Sequence, residues 1–156
     1  MSAPSLDPVQ TVIQGHTRVA SWLDNLWASL GTLAEQPDAG PGSLEACFRE
    51  QVREHVLFLE DRLLPSLLDL DPEPAVATLV GELRRDHLAI LVDCSRLFID
   101  LASCMVTDDT AACVLGAHTR ARALRERMLT ATARERDQLI PLLRRHRDAL
   151  TVALAA

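Results

Sequence analysis

Four titratable side chains in this sequence have the types and the spacing for metal chemistry. Each is the one polar residue in a run of apolar residues that recur every three or four positions. Imidazole nitrogens and carboxylate oxygens together suit iron, zinc or manganese. The four residues are His16, His55, His87 and Glu135.

The cost of burial favours a cluster of these residues over four isolated ones. An unpaired buried polar group costs roughly 1–3 kcal/mol, whereas a whole domain is stable by only about 5–15 kcal/mol. Clustered side chains can satisfy one another or bind a cation. The pattern therefore predicts a metal site, and the alternative is that each histidine is an ordinary core residue bonded to a backbone carbonyl.

The elements that must position these side chains are helices. Apolar residues recur at helical spacing, and no sustained strand alternation or hairpin signal is present. Proline, glycine and polar residues break the pattern at 35–43, 69–74 and 106–110. We expect one all-α domain over residues 1–156, with helices at about 8–34, 44–69, 72–105 and 109–150.

Short turns between long helices predict antiparallel neighbours, and hence an up-down-up-down four-helix bundle. At 1.5 Å per residue, His55, His87 and Glu135 would lie about 21–22 Å from one end of the bundle, and His16 about 12 Å from it. Helix caps are expected at Asp7, at Asp71, and at Thr107 or Asp108.

Two prolines follow apolar pairs late in the second and fourth helices. The stretch "REHVLFLEDRLLPSLL" (residues 53–68) contains Pro65, and "ARERDQLIPLLR" (residues 133–144) contains Pro141. Each proline removes a backbone donor, so each should kink or end its helix.

From about residue 9 to residue 143 the chain resembles the hemerythrin-like, or HHE cation-binding, domains. That family pattern has one histidine on each of helices 1 and 3, and a His-x-x-x-Glu before an apolar-apolar-Pro on each of helices 2 and 4. Matching stretches are "QGHTRV" with His16, "REHVLFLEDRLLP" with His55, "LRRDHLAIL" with His87 and "ATARERDQLIP" with Glu135. The resemblance implies a four-helix bundle around a carboxylate-bridged di-iron centre.

The sequence departs from this pattern at two positions. Leu59 stands where the family has the glutamate of helix 2, and Ala131 where it has the histidine of helix 4. Glu60 is a candidate substitute ligand, although five residues beyond His55 it lies about 140° round an α-helix. A slight overwinding near Pro65 would turn it inward, and the alternative is a solvated surface residue. Three histidines and one carboxylate suit one metal ion better than two.

Composition excludes some function classes. The net charge is −6 and all 16 basic residues are arginine, which argues against nucleic acid as the main partner. No apolar run reaches the roughly 18 residues of a membrane span, and no signal-peptide pattern is evident, so we expect a cytoplasmic protein. Its cysteines are then expected as thiols. The alternative is a disulfide, thiol sensor or soft-metal cluster among Cys47, Cys104 and Cys113.

The remaining cysteine, histidines and tryptophans are expected to have structural or surface roles. Cys94 is expected as small core filler, His118 off the inner face, and His146 in solvent. Trp27 is expected in the core, whereas Trp22 is a candidate for a partner surface.

The leading hypothesis is a non-haem metal-binding protein that senses, stores or reacts with O2, NO or peroxide. Iron is the expected metal, mononuclear or di-iron, with zinc as an alternative. A second hypothesis is a metal-free pseudo-hemerythrin that acts as an interaction or regulatory module, with a protein partner or as a homodimer. A third is an oxidative enzyme that uses the altered site.

Overall fold

The computed structural model describes residues 6–35 and 42–155, and within these ranges it is all-helical, without strands. The expectation of an all-α fold is confirmed. We number five helices, of which α2 and α4 each join several consecutive segments. They are α1 (Pro8–Glu35), α2 (residues 42–70), α3 (Pro74–Cys104), α4 (residues 110–145) and α5 (Arg147–Ala155).

The core consists of two apolar clusters with a polar layer between them. One cluster includes Val19, Val52, Ile90 and Ala131, and the other includes Val12, Leu59, Leu83 and Leu139. On each of α1 to α4, the candidate site residue lies between a residue of one cluster and a residue of the other. The polar side chains therefore meet at one level of the fold, with apolar packing on both sides.

Ion pairs show that α3 and α4 run antiparallel. Asp86 pairs with Arg134 and Asp93 with Arg127, so residue numbers rise along α3 as they fall along α4. Both pairs are at least partly exposed to solvent, and an ion pair of this kind contributes only about 0.2–1 kcal/mol. Their positions nevertheless show that the middle of α3 lies opposite the middle of α4.

The helix ends differ in part from the expected ones. The Asp7 cap is confirmed, since its Oδ1 accepts a hydrogen bond from the backbone N–H of Val9 at 3.0 Å. The third helix begins at Pro74, so the expected Asp71 cap is wrong. The cap of α4 is Asp109, whose side chain accepts a hydrogen bond from the N–H of Ala112. The expected cap at Thr107 or Asp108 is therefore wrong.

The expected fourth helix, drawn to residue 150, is interrupted at His146, which leaves the α-helical region with φ −105° and ψ 16°. His146 Nε2 lies 2.9 Å from Oδ2 of the buried Asp71, which follows the end of α2. Pairing with this carboxylate, rather than solvation, explains the histidine, and α5 then restarts at Arg147 and packs against α1 and α2. The expectation of a solvated His146 is wrong.

Two of the four cysteines form a disulfide. Cys104 at the end of α3 is bonded to Cys113 in the first turns of α4, with Cα atoms 5.4 Å apart. The expectation of thiols is wrong for this pair and is confirmed for Cys47 and Cys94, which are free. Cys94 is buried, as expected of core filler.

Trp22 is more deeply buried than expected, and Trp27 packs against the core but is less buried than expected. Trp22 is fully buried and its indole N–H donates to the carbonyl of Leu44, so it does not mark a partner surface. Trp27 is only partly buried and stacks on the ring of His118, which lies away from the site as expected.

Within residues 6–35 and 42–155, the structure contains no helix that could span a membrane.

Candidate metal centre

Three histidines from three helices converge on one carboxylate. The Nε2 atoms of His16 on α1 and His55 on α2 lie 2.7 and 3.0 Å from Oε2 of Glu135. The Nε2 atom of His87 on α3 lies 3.0 Å from the other oxygen, Oε1. All four residues proposed from the apolar stripes therefore meet in space.

One subset of this cluster can hold a metal ion. His16, His55 and Glu135 each offer a ligand atom, and these atoms lie within 4.8 Å of one another. Two imidazole nitrogens and a carboxylate oxygen form a donor set that suits first-row transition metals. His87 reaches the same carboxylate from the opposite oxygen and stands next to this subset.

A π-helical turn precedes each of the two prolines that follow apolar pairs. Pro65 and Pro141 have no backbone N–H, so the usual i to i−4 bond is missing there. Just before them, the N–H of Leu64 bonds to the carbonyl of Leu59, and that of Ile140 to the carbonyl of Glu135. These i to i−5 bonds widen the turn locally, a feature frequent at functional sites.

The π-helical turn over Leu59–Leu63 decides where Glu60 points. Its Oε1 lies 2.5 Å from Nδ1 of His87, and its Oε2 lies 3.3 Å from Nε of Arg84. Glu60 is turned inward, but by a widened turn, so the expected overwinding near Pro65 is wrong. Its carboxylate meets His87 on the side of the ring away from Glu135, and it is not part of the subset of converging ligand atoms.

Gly15 allows His55 to approach α1. A Cβ atom at Gly15 would lie 2.0 Å from Nδ1 of His55 and 2.5 Å from its Cε1, well inside contact distance. A helix-interior glycine costs about 1 kcal/mol relative to alanine, so its presence in "QGHTRV" was the available sequence signal. Gly15 has no ligand atom, so a pattern of ligand-bearing side chains does not include it.

Burial and hydrogen bonding set the charges of the cluster. Burial disfavours the ionised carboxyl of Glu135, but hydrogen bonds from His16, His55 and His87 hold its pKa well below the usual range. Burial likewise disfavours the imidazolium of His87, yet hydrogen bonds to Glu135 and Glu60 raise its pKa to about 9. Without metal, His87 is therefore a cation between two carboxylates at neutral pH.

The two departures from the family pattern are both buried and apolar here. Leu59 packs in the cluster next to Pro65, and Ala131 lies in the opposite cluster. Ala131 also lines a cavity of about 10 Å³ beside the site, close to the size that holds one water molecule. Its other walls are His55, His87, Glu135, Val19, Val52, Val56, Ile90, Met128 and Thr132.

No family model, no curated protein and no solved structure matches the chain.

Proposed function

We propose that this protein binds one transition-metal ion, with iron as the first candidate, through His16, His55, Glu135 and His87. The observation that carries the proposal is the convergence of three imidazole Nε2 atoms on one buried carboxylate. Histidine and carboxylate ligands on facing helices are a common way to build a metal site inside a bundle. When bound, the metal would supply Lewis-acid or redox chemistry in an apolar enclosure.

A single ion fits the ligand count better than two. The two positions at which the hemerythrin-like pattern would add ligands are Leu59 and Ala131, which have no donor atoms. The further carboxylate, Glu60, is engaged by His87 and Arg84. The proposed fold is an up-down-up-down bundle of the hemerythrin-like kind, supported by four long helices that each contribute one residue to the site.

The molecule sensed, stored or transformed would be small. O2, NO and peroxide are the proposed class, and the support is the size and lining of the adjoining cavity, about 10 Å³ with mostly apolar walls. These walls would limit solvent access to the centre. His55, His87 and Glu135 line the same space, so a molecule there would be next to the ligand atoms.

A metal-free interaction module is the second candidate, and one observation favours it. Within the structure, Glu135 is bonded by all three imidazoles and His87 is bonded at both nitrogens, so the hydrogen bonds of the cluster are satisfied without a metal ion. Function would then lie on the surface, where Leu88 and Ile99 on α3 are exposed by 64% and 65%. A protein partner or a second copy would cover such residues.

Metal analysis separates the two candidates. Protein purified without chelator is dialysed anaerobically against ferrous iron, and bound metal is counted by elemental analysis. We expect about one equivalent in the wild type, and a loss of binding in His55→Ala. The matched control is His118→Ala, which removes a histidine that stacks on Trp27 away from the site.

The result has three readings. One equivalent that depends on His55 and not on His118 supports the proposal. Two equivalents of iron with an oxo-to-iron charge-transfer band would contradict the one-ion site. No retained iron in the folded wild type would favour the metal-free module.

A further inference from the structure

We infer that Glu60 is a positioning residue: it holds the His87 ring so that Nε2 is presented to the centre. The inference rests on the proposed metal binding and assigns Glu60 a role beside the ligands. It replaces the idea that Glu60 substitutes directly for a lost ligand.

The bonds at the two ends of the His87 ring define its orientation. Nδ1 lies 2.5 Å from Oε1 of Glu60, and Nε2 lies 3.0 Å from Oε1 of Glu135. A carboxylate can only accept, so Nδ1 carries a hydrogen and donates it to Glu60. Nε2 is then the nitrogen whose lone pair becomes available to a metal when its own proton leaves.

The placement of Glu60 also argues against direct ligation. The imidazole of His87 stands between the two carboxylates, with Glu60 on its Nδ1 side and Glu135 on its Nε2 side. A ligand to an ion among His16, His55 and Glu135 would have to reach past this ring. A carboxylate on the outer nitrogen of a metal-binding histidine is instead the usual arrangement for orienting the ring and raising its basicity.

Glu60 is itself held in place from two directions. The π-helical turn over Leu59–Leu63 aims its side chain at α3. There Arg84, three residues before His87 and thus on the same face of α3, bonds the second carboxylate oxygen at 3.3 Å. Glu60 therefore connects a half-exposed arginine to a histidine whose side chain is only 2% exposed.

Cobalt(II) binding and imidazole NMR test this role. Glu60→Leu removes the acceptor, and Glu60→Gln retains an amide oxygen that can accept from Nδ1 but lacks the charge. We expect cobalt(II) affinity to fall about 10- to 100-fold in Glu60→Leu and less in Glu60→Gln, since loss of an outer-shell partner typically has effects of this size. Asp61→Asn is the matched control, because Asp61 is an exposed acid on the same π-helical turn.

Two readouts separate positioning from a merely structural role. In metal-free protein, the ¹⁵N shifts of the His87 ring should change in Glu60→Leu and stay unchanged in Asp61→Asn. In a double-mutant cycle, Glu60→Leu should add little to the loss of cobalt affinity caused by His87→Ala, because Glu60 acts through His87.

Each outcome bears on the inference. Wild-type affinity and wild-type His87 shifts in Glu60→Leu would overturn it, as would additive losses in the cycle. If Glu60→Leu does not fold, the same two measurements on Glu60→Gln decide, and unchanged values there would overturn it. If the wild type binds no cobalt, the proposed function fails, whereas the His87 shifts still decide whether Glu60 holds the ring.

Discussion

The imidazole of His55 on α2 packs directly against Gly15 on α1. A Cβ atom placed on Gly15 would lie only 2.0 Å from Nδ1 of His55. The contact brings the imidazole of His55 on α2 close to that of His16 on α1, so that the Nε2 atoms of both lie near Oε2 of Glu135. The site therefore requires a glycine at position 15, because any side chain there would collide with the His55 ring.

Gly15→Ala should therefore displace His55 and weaken metal binding, by roughly tenfold or more if the effect equals the loss of an outer-shell partner. Gly31→Ala is the matched control, because Gly31 lies in the same helix and a Cβ atom there would meet nothing within 4 Å. The control should stabilise the protein by about 0.5–1 kcal/mol through helix propensity. Cobalt(II) titration and thermal unfolding of both variants test this, and equal metal affinities would contradict the assigned contact.

Stability of the metal-free protein should depend on pH through His87. Its pKa is about 9 in the fold against 6.5 in the unfolded chain, so its contribution is fully present below pH 6.5 and is lost as pH rises through 9. The loss is on the order of 3 kcal/mol at most. Urea unfolding of chelator-treated protein at pH 6, 7.5 and 9 measures it, with His87→Gln as the variant that should lose this slope.

Metal affinity should change with pH in the opposite direction. His87 must release the Nε2 proton before that nitrogen can bind a metal, so affinity should increase as pH rises towards 9. Zinc or cobalt(II) titrations between pH 6.5 and 8.5 measure the trend. A flat profile would show that His87 is not among the ligands, and the other residues would then carry the site.

Adding the two ligands of the hemerythrin-like pattern should create a site for a second ion. The double substitution Leu59→Glu plus Ala131→His places a carboxylate and an imidazole where the hemerythrin-like pattern has them. Bound iron should rise from about one to about two equivalents, and each single substitution should give less. Because Leu59 is fully buried, Leu59→Glu alone should destabilise the metal-free protein. A folded double variant with no added iron would count against the register of the two motifs.

Reduction of the disulfide should lower stability without emptying the site. Cys104 and Cys113 are nine residues apart, and closing a loop of about ten residues is worth roughly 2–3 kcal/mol in the chain-entropy model. Thermal unfolding with and without reductant should show the shift in the wild type and not in Cys104→Ser plus Cys113→Ser. Cys47→Ser, which removes a free thiol, is the control and should retain the response.

Local rules explain why the sequence alone determined the helical fold class and the four converging residues. Helical periodicity depends on contacts between residues three and four positions apart. A polar residue on an apolar stripe can therefore be recognised from the sequence of one helix, without knowledge of the partner helix. His16, His55, His87 and Glu135 could be selected in this way, and they meet in the structure. The likeness to hemerythrin-like domains and the identity of the metal remain predictions.

Only the tertiary structure decided what lies around those four residues. Glu60 turns inward from the widened turn just before Pro65, and Arg84 and His87 of another helix bond its carboxylate there. Gly15 matters because the His55 ring of α2 fills the space that a Cβ atom would need. The indole N–H of the buried Trp22 is satisfied by the Leu44 carbonyl of α2. These outcomes depend on contacts between residues distant in the chain, whose spacing within any one helix contains no information about the partner.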